Sequence, residues 1–462
     1  MTACPANRSS VATATEGASM TNTAVARDAL YRRVSQRILP LLILCYTFSF
    51  LDRVNIGFAK LHMQQDIGIS ESAYGLAAGI FFLGYVIFEV PSNLLLEKIG
   101  TRKTIVRIMA LWGLTAAAMM FVGDATTFYV LRFLLGVFEA GFAPGIIFYL
   151  TYWYPPARLA APMGLLLLPG PIGSMLGGPV SAELITNFDG VAGLHGWQWM
   201  FLLEGLPCVA LAFIVWKTLA DTPDEAHWLS PEEKELLRRD LAVDRDKGKQ
   251  SFQQVLRDPR VYALAVGFFC LISGMYAVSF WLPTILTENG LTDTVSIGLY
   301  SALPYAFAIV LMVMLGRHSD RTGERRLHSS IAALISAVAL AVAAFTASSF
   351  AVSLVAVIVA TACVWAAYSV FWAMPLGYLK GTAAAGGVAL INSIGLLGGF
   401  ISPTLIGFLK DATGSTTVGL LSVSVLLLIG SLVLYANRLP VGAAPGSADR
   451  QPSLEGDRQG AA

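Results

Sequence analysis

Asp52, Arg53 and Asn55 fall within four residues of one another in Phe48-Ser49-Phe50-Leu51-Asp52-Arg53-Val54-Asn55-Ile56-Gly57-Phe58. The surrounding run from Ile38 to Ala59 is apolar on both flanks and about 20 residues long, enough to cross a bilayer core. A charged side chain near a membrane midplane costs roughly 2.5–3.5 kcal/mol on insertion scales. An acid beside a base at that depth suits proton transfer, anion binding, or a structural ion pair that locks the helix to a neighbour. Arg132 and Glu139 repeat the combination in a later apolar run. They are seven residues apart, close to two full helical turns, so they share one face.

The whole chain is built for such a setting. Of its 462 residues, 55% are hydrophobic and 13% charged. Soluble domains carry about 25% charged residues, so this is a membrane protein whose main partner is the lipid bilayer. A net charge of +1 gives no footing for nucleic acid. Cys4, Cys45, Cys208, Cys270 and Cys363 show no CxxC spacing, and the five histidines are scattered. They support neither a disulfide framework nor a metal site, and no cofactor is called for. No nucleophile–base pair suggests an enzyme.

Spans recur at about 38–59, 72–96, 104–122, 127–150, 161–185 and 198–216, then at about 261–285, 296–316, 329–347, 351–374, 384–409 and 416–436. The expected division is a disordered tail (1–30), a six-helix bundle (31–216), a polar linker (217–260), a second six-helix bundle (261–437) and a disordered tail (438–462). Residues 1–30 have no apolar core of the signal-peptide kind, and Met20 is a candidate start. Within the linker, Ser230-Pro231 followed by Glu233 reads as a helix start, with the helix lying on the membrane surface. With the N-terminus inside, Arg32, Arg33, Arg37, Lys98, Arg102, Lys103, Arg158, Arg317, Arg321, Arg325 and Arg326 all fall in inner segments, and only Lys60 and Lys410 in outer ones. By the positive-inside rule both termini are cytoplasmic, at a plasma or inner membrane.

The two halves repeat one another. Asn93-Leu-Leu-Leu-Glu97-Lys98-Ile-Gly100-Thr-Arg102-Lys103 follows the second span, and Gly316-Arg-His-Ser-Asp320-Arg321-Thr-Gly323-Glu-Arg325-Arg326 follows the eighth, displaced by 223 positions. A parallel repeat of six spans is a transporter arrangement. Both loops resemble the G-x-x-x-[DE]-[RK]-x-G-[RT]-[RK]-[RK] motif of the major facilitator superfamily, with Asn93 in place of the first Gly. Leu51 to Ala59, Phe88-Glu89-Val-Pro91-Ser92-Asn93, Arg132 to Phe142, Trp197-Gln198-Trp199 through Glu204-Gly205, and Asn392 through Phe400 resemble its anion:cation symporter branch. The resemblance implies an all-α fold of twelve spanning helices in two pseudo-symmetric bundles. It also implies carriage of an organic anion with a proton, as for tartrate, sugar acids, phthalate or 4-hydroxyphenylacetate.

On that footing Asp52 and Glu139 are the expected protonatable pair, Arg53 the receiver of the substrate carboxylate, and Arg132 the group that tunes Asp52. Taking about 1.5 Å per residue, Asp52 and Arg132 lie at similar depth and Glu139 about 10 Å further in, as steps of a proton path. A carboxylate taken out of water favours its proton, and a nearby guanidinium opposes this. An anion on the guanidinium relieves the opposition, so anion and proton bind together. The positions equivalent to Asp52 and Arg53 in the second half are Met275 and Tyr276. That half is therefore expected to shape the pocket, with Tyr276 and Asn392 joining Phe50, Asn55 and Tyr85 as substrate contacts. Phe81, Tyr85 and Glu89 align at i, i+4 and i+8, facing either the cavity or a packed neighbour.

Glu97, Lys98, Arg102, Asp320, Arg321 and Arg325 are expected gates, the acids pairing with nearby arginines when the inner side is shut. Phe50 and Leu396 stand where relatives in the branch often have Tyr and Asn. Both favour an aromatic carboxylate over a polyol. A tartrate or sugar-acid symporter is the alternative, and a drug–proton antiporter of the same fold another; the chain is expected to act as a monomer.

Overall fold

Runs of Leu, Val, Ala and Phe in a bilayer have no water to bond to, so each must satisfy its backbone internally, and a helix does so. The computed structural model of the protein describes residues 9–242, 252–379 and 382–438, and all regular structure there is helical. Among the described residues, twelve helices are long and apolar enough to cross a membrane. They are α1 (Val25–Ile67), α2 (Glu71–Ile99), α3 (Thr101–Phe121), α4 (Ala125–Thr151), α5 (Pro156–Phe188), α6 (Gly196–Thr218), α7 (Pro259–Glu288), α8 (Thr294–Thr322), α9 (Arg326–Phe345), α10 (Phe350–Tyr378), α11 (Gly386–Thr413) and α12 (Thr417–Ala436). Asp124 and Asp293 cap α4 and α8 from the loops, accepting from the amides of Thr126, Thr127 and Ser296. These donors hold both carboxyls below the usual carboxylate range.

The packing is pseudo-symmetric. α2 lies along α4 and α3 along α6 in the first half, as α8 lies along α10 and α9 along α12 in the second. Between halves the long contacts are α2 with α11 and α5 with α8, one pair being the symmetry counterpart of the other. Anything held between α1, α2 and α4 on one side and α7, α10 and α11 on the other sits on the seam along which the halves move.

The linker helix (Pro231–Ala242) starts where Ser230 predicts. Ser230 Oγ accepts from the Glu233 amide at 3.2 Å, and Glu233 Oε2 accepts from the Ser230 amide at 3.0 Å. This is a reciprocal cap. The helix docks on the first bundle: Arg33 pairs with Glu233 at 2.8 Å, Arg27 with Asp240 at 3.1 Å, and Leu237 is fully buried.

Helix extends from Ser9 without a break into α1. The segment is rich in Ala, a strong helix former, and Arg158 ties Asp28 at 2.6 Å. The expectation for residues 439–462, like that for 1–8, lies outside the described residues.

Candidate functional site

Arg53 points across the seam. Its Nη2 pairs with Glu139 of α4, and its Nη1 donates to the Tyr276 hydroxyl of α7 at 2.6 Å. Glu139 also accepts from Ser49 Oγ at 2.5 Å, one helical turn from Arg53 on α1. Aromatic rings surround the guanidinium: Phe50 at 4.9 Å, Phe81 at 5.0 Å, Tyr85 at 5.9 Å and Tyr276 at 5.9 Å from its carbon to the ring centroids. Phe50 in turn meets Trp365 of α10 at 6.0 Å. A cation this deep, 7% exposed, is attracted to the ring faces as well as to the carboxylate. Phe50, Arg53, Tyr85, Glu139 and Tyr276 are therefore brought together.

Asp52 is not with them. Successive helical residues diverge by about 100°, so Asp52 turns into the first bundle while Arg53 faces out of it. Asp52 Oδ2 accepts from Trp112 Nε1 at 2.7 Å and from Cys208 Sγ at 3.1 Å. Asn55 follows the same face, donating to Glu204 Oε2 at 2.8 Å, while Ser181 donates to Glu204 Oε1 at 2.8 Å. Asn55 is thus placed against a buried acid, apart from the group around Arg53. Trp112, Cys208 and Ser181 come from α3, α6 and α5, and no local motif ties them to Asp52 or Glu204.

Arg132 also lies apart from Asp52. It reaches neither Asp52 nor Glu139; its Nε donates to the Ala77 carbonyl at 3.2 Å, and its guanidinium lies 5.2 Å from the Phe81 ring. α2 crowds that face of α4, because a Cβ on Gly136 would collide with the Phe81 carbonyl. The shared Phe81 ring places Arg132 as a second cation behind the first. The expected Asp52–Arg132–Glu139 path is not formed by these contacts.

α4 breaks just past Glu139. Its two pieces are Ala125–Glu139 and Phe142–Thr151, hinged at Gly141 with φ of 85°. A Cβ there would lie 2.5 Å from Ser92 Oγ. Non-glycine residues in such a conformation cost on the order of 1–3 kcal/mol. Gly141→Ala is expected to lower the detergent melting temperature; an unchanged melt would show that the hinge is slack.

The face carrying the linker and the face opposite it are held differently. At the linker face Arg102 engages Asp221, its amide donating at 2.6 Å, and Asp320 pairs with Arg325. Glu97, Lys98 and Arg321 are exposed. The acid expected to gate the first loop, Glu97, forms no ion pair among the described residues, because Asp221 has taken the arginine. Neither of these pairs joins one six-helix half to the other.

The opposite face is latched across the seam by residues that no sequence motif joins. Lys60 Nζ of α1 reaches Glu71 of α2 at 2.6 Å and Thr284 of α7 at 2.8 Å, and lies 4.2 Å from the Trp281 ring. Lys410 of α11 bridges Glu71 at 2.7 Å and Glu288 at 3.0 Å. The signal was present: these are the two lysines that break the scarcity of cations on that face. Removing one partner of a buried pair costs about 3–5 kcal/mol. Lys60→Met is therefore expected to speed labelling of a Thr404→Cys reporter by a membrane-impermeant maleimide added at that face. Unchanged labelling would show that the latch does not hold the face shut.

Comparison with known proteins agrees with this architecture. Residues 42–403 match the sequence pattern of the Major Facilitator Superfamily. A protein of Agrobacterium vitis named as a candidate tartrate transporter is 46% identical over 405 residues, covering 87% of this chain and 90% of the relative. A quinolone resistance transporter of Acinetobacter baumannii is 41% identical over 408 residues, covering 87% and 94%. Among solved structures, a bacterial homologue of the human lysosomal transporter Spinster superposes with a TM-score of 0.71 at 18% identity, covering 87% of this chain and 96% of that one. This chain belongs to the Major Facilitator Superfamily, in the anion:cation symporter branch that its motifs resemble, and is a multi-pass membrane transporter rather than an enzyme.

Proposed function

We propose that the protein is a proton-coupled symporter for a small organic carboxylate of aromatic type. The observation that carries the reading is Arg53: a buried guanidinium on the seam, boxed by aromatic rings and shared between Glu139 of one half and Tyr276 of the other. A planar fork of donors matches a carboxylate, and the rings suit an aromatic body better than a polyol. When the anion takes the guanidinium, Glu139 loses its counter-charge, and a proton replaces it. Anion and proton then travel as a neutral set through the change of access. Asp52, with only neutral donors around it, serves as the second proton carrier, out of reach of the anion.

The linker face is taken as cytoplasmic. The charge asymmetry of the loops supports this, so the latched state faces the cytoplasm and releases its cargo there. Uptake into right-side-out and inverted vesicles, with a panel of aromatic and hydroxylated acids at two pH values, tests the proposal. Accumulation of aromatic acids with the outside acidic, abolished by a protonophore, is expected. Accumulation of organic cations instead would overturn it. The name of the quinolone relative favours a second reading, export of a drug against protons; efflux driven by inward proton flow would support that reading.

A further inference from the structure

Glu89 lies one turn from Tyr85 and two from Phe81 on one face of α2, the face that borders Arg53. Its side chain spans the seam, Oε1 accepting from Asn392 Nδ2 of α11 at 2.8 Å. The residue is 5% exposed, and its Oε2 is buried with no donor. Asn392 supplies no charge, and no cation pairs with Glu89 among the described residues. If the Glu89–Asn392 bond served only to hold α2 against α11, the second oxygen would be a plain loss, because a buried acceptor without a donor gives up its bonds to water for nothing in return. The turn from Tyr85 to Glu89 is about 6 Å of helix, which sets Glu89 beyond the aromatic box on the linker side.

We infer that Glu89 Oε2 accepts a hydrogen bond from a hydroxyl or N–H group at the end of the transported anion remote from the carboxylate held by Arg53. Asn392 fixes the carboxyl so that this oxygen faces the cargo. The inference rests on the reading of Arg53 as the anion site. It narrows the cargo to monocarboxylates with a remote donor, of the hydroxyphenylacetate kind. A second carboxylate at that end would meet Glu89 as a like charge, so phthalate-like and tartrate-like diacids are disfavoured.

The test compares uptake of 4-hydroxyphenylacetate with phenylacetate, and of 4-hydroxybenzoate with benzoate, by purified protein in liposomes. A site built around a buried hydrogen-bonding group rejects the analogue that lacks the partner, so the wild type should show a KM at least about tenfold lower for the hydroxylated acid. Glu89→Gln should remove that ratio by raising KM for the hydroxylated acid alone, leaving the other acid within about threefold. A wild-type ratio near one, the same ratio in Glu89→Gln, or uptake of none of the four acids overturns the inference. The wild-type ratio needs no variant to fold. Arg53→Met separates the two levels. If it leaves uptake intact, the anion reading falls and this inference with it. If it abolishes uptake while the wild-type ratio is near one, only the role of Glu89 falls.

Discussion

Arg53→Met is expected to reduce uptake at least about 30-fold, since truncating one partner of a buried, hydrogen-bonded charge pair costs about 2–5 kcal/mol. Three losses coincide at this position. On the proposed reading the anion loses its fork of donors; Glu139 also loses its counter-charge, and the link from α1 to Tyr276 disappears. Arg53→Lys should rescue little. An ammonium keeps the charge, but it is a point donor and does not span Glu139 and Tyr276 as a planar fork does. Initial uptake rates in vesicles, normalised to folded protein from a fluorescent size-exclusion profile, measure both variants. Near-wild-type rates in Arg53→Lys would mean that charge alone matters at this site.

Glu139→Gln is expected to separate transport from its driving force. The amide still accepts from Ser49 and Arg53, so the site keeps its shape, but it takes no proton. Proton-driven accumulation should collapse to equilibration across the membrane, while exchange of internal for external substrate stays within about threefold of wild type. A residue that merely braced α4 would lower both activities together. Concentration of substrate by Glu139→Gln under a proton gradient would remove Glu139 from the coupling step.

The sequence made the helices legible because a bilayer admits few alternatives: twelve apolar runs, a capped linker helix at Ser230 and a repeat at Glu97 and Asp320 are all local signals. The identities of the buried charges were legible for the same reason, since an acid or base in an apolar span stands out. Their pairing was not. Asp52 and Arg53 are neighbours in the chain, yet one faces Trp112 and Cys208 and the other Glu139 and Tyr276. Side-chain direction depends on rotation of the helix within the bundle, which a single sequence does not fix.

Arg132 shows the same limit from the other side. Its heptad spacing to Glu139 was real, but Gly136 lets α2 come so close that Arg132 finds the Ala77 carbonyl first. The latch at Lys60 joins four helices, two from each half of the chain. Its one sign in the sequence is a pair of lysines, Lys60 and Lys410, on a face otherwise short of cations.

The central claim is that an anion on Arg53 hands Glu139 over to a proton. The direct measurement is proton uptake on binding, with purified protein in weakly buffered detergent solution and the acid that the vesicle panel selects. Wild-type protein should take up protons in step with anion saturation, and Glu139→Gln should bind the same acid while taking up fewer. Binding without proton uptake by the wild type, or equal uptake by the variant, would contradict the account.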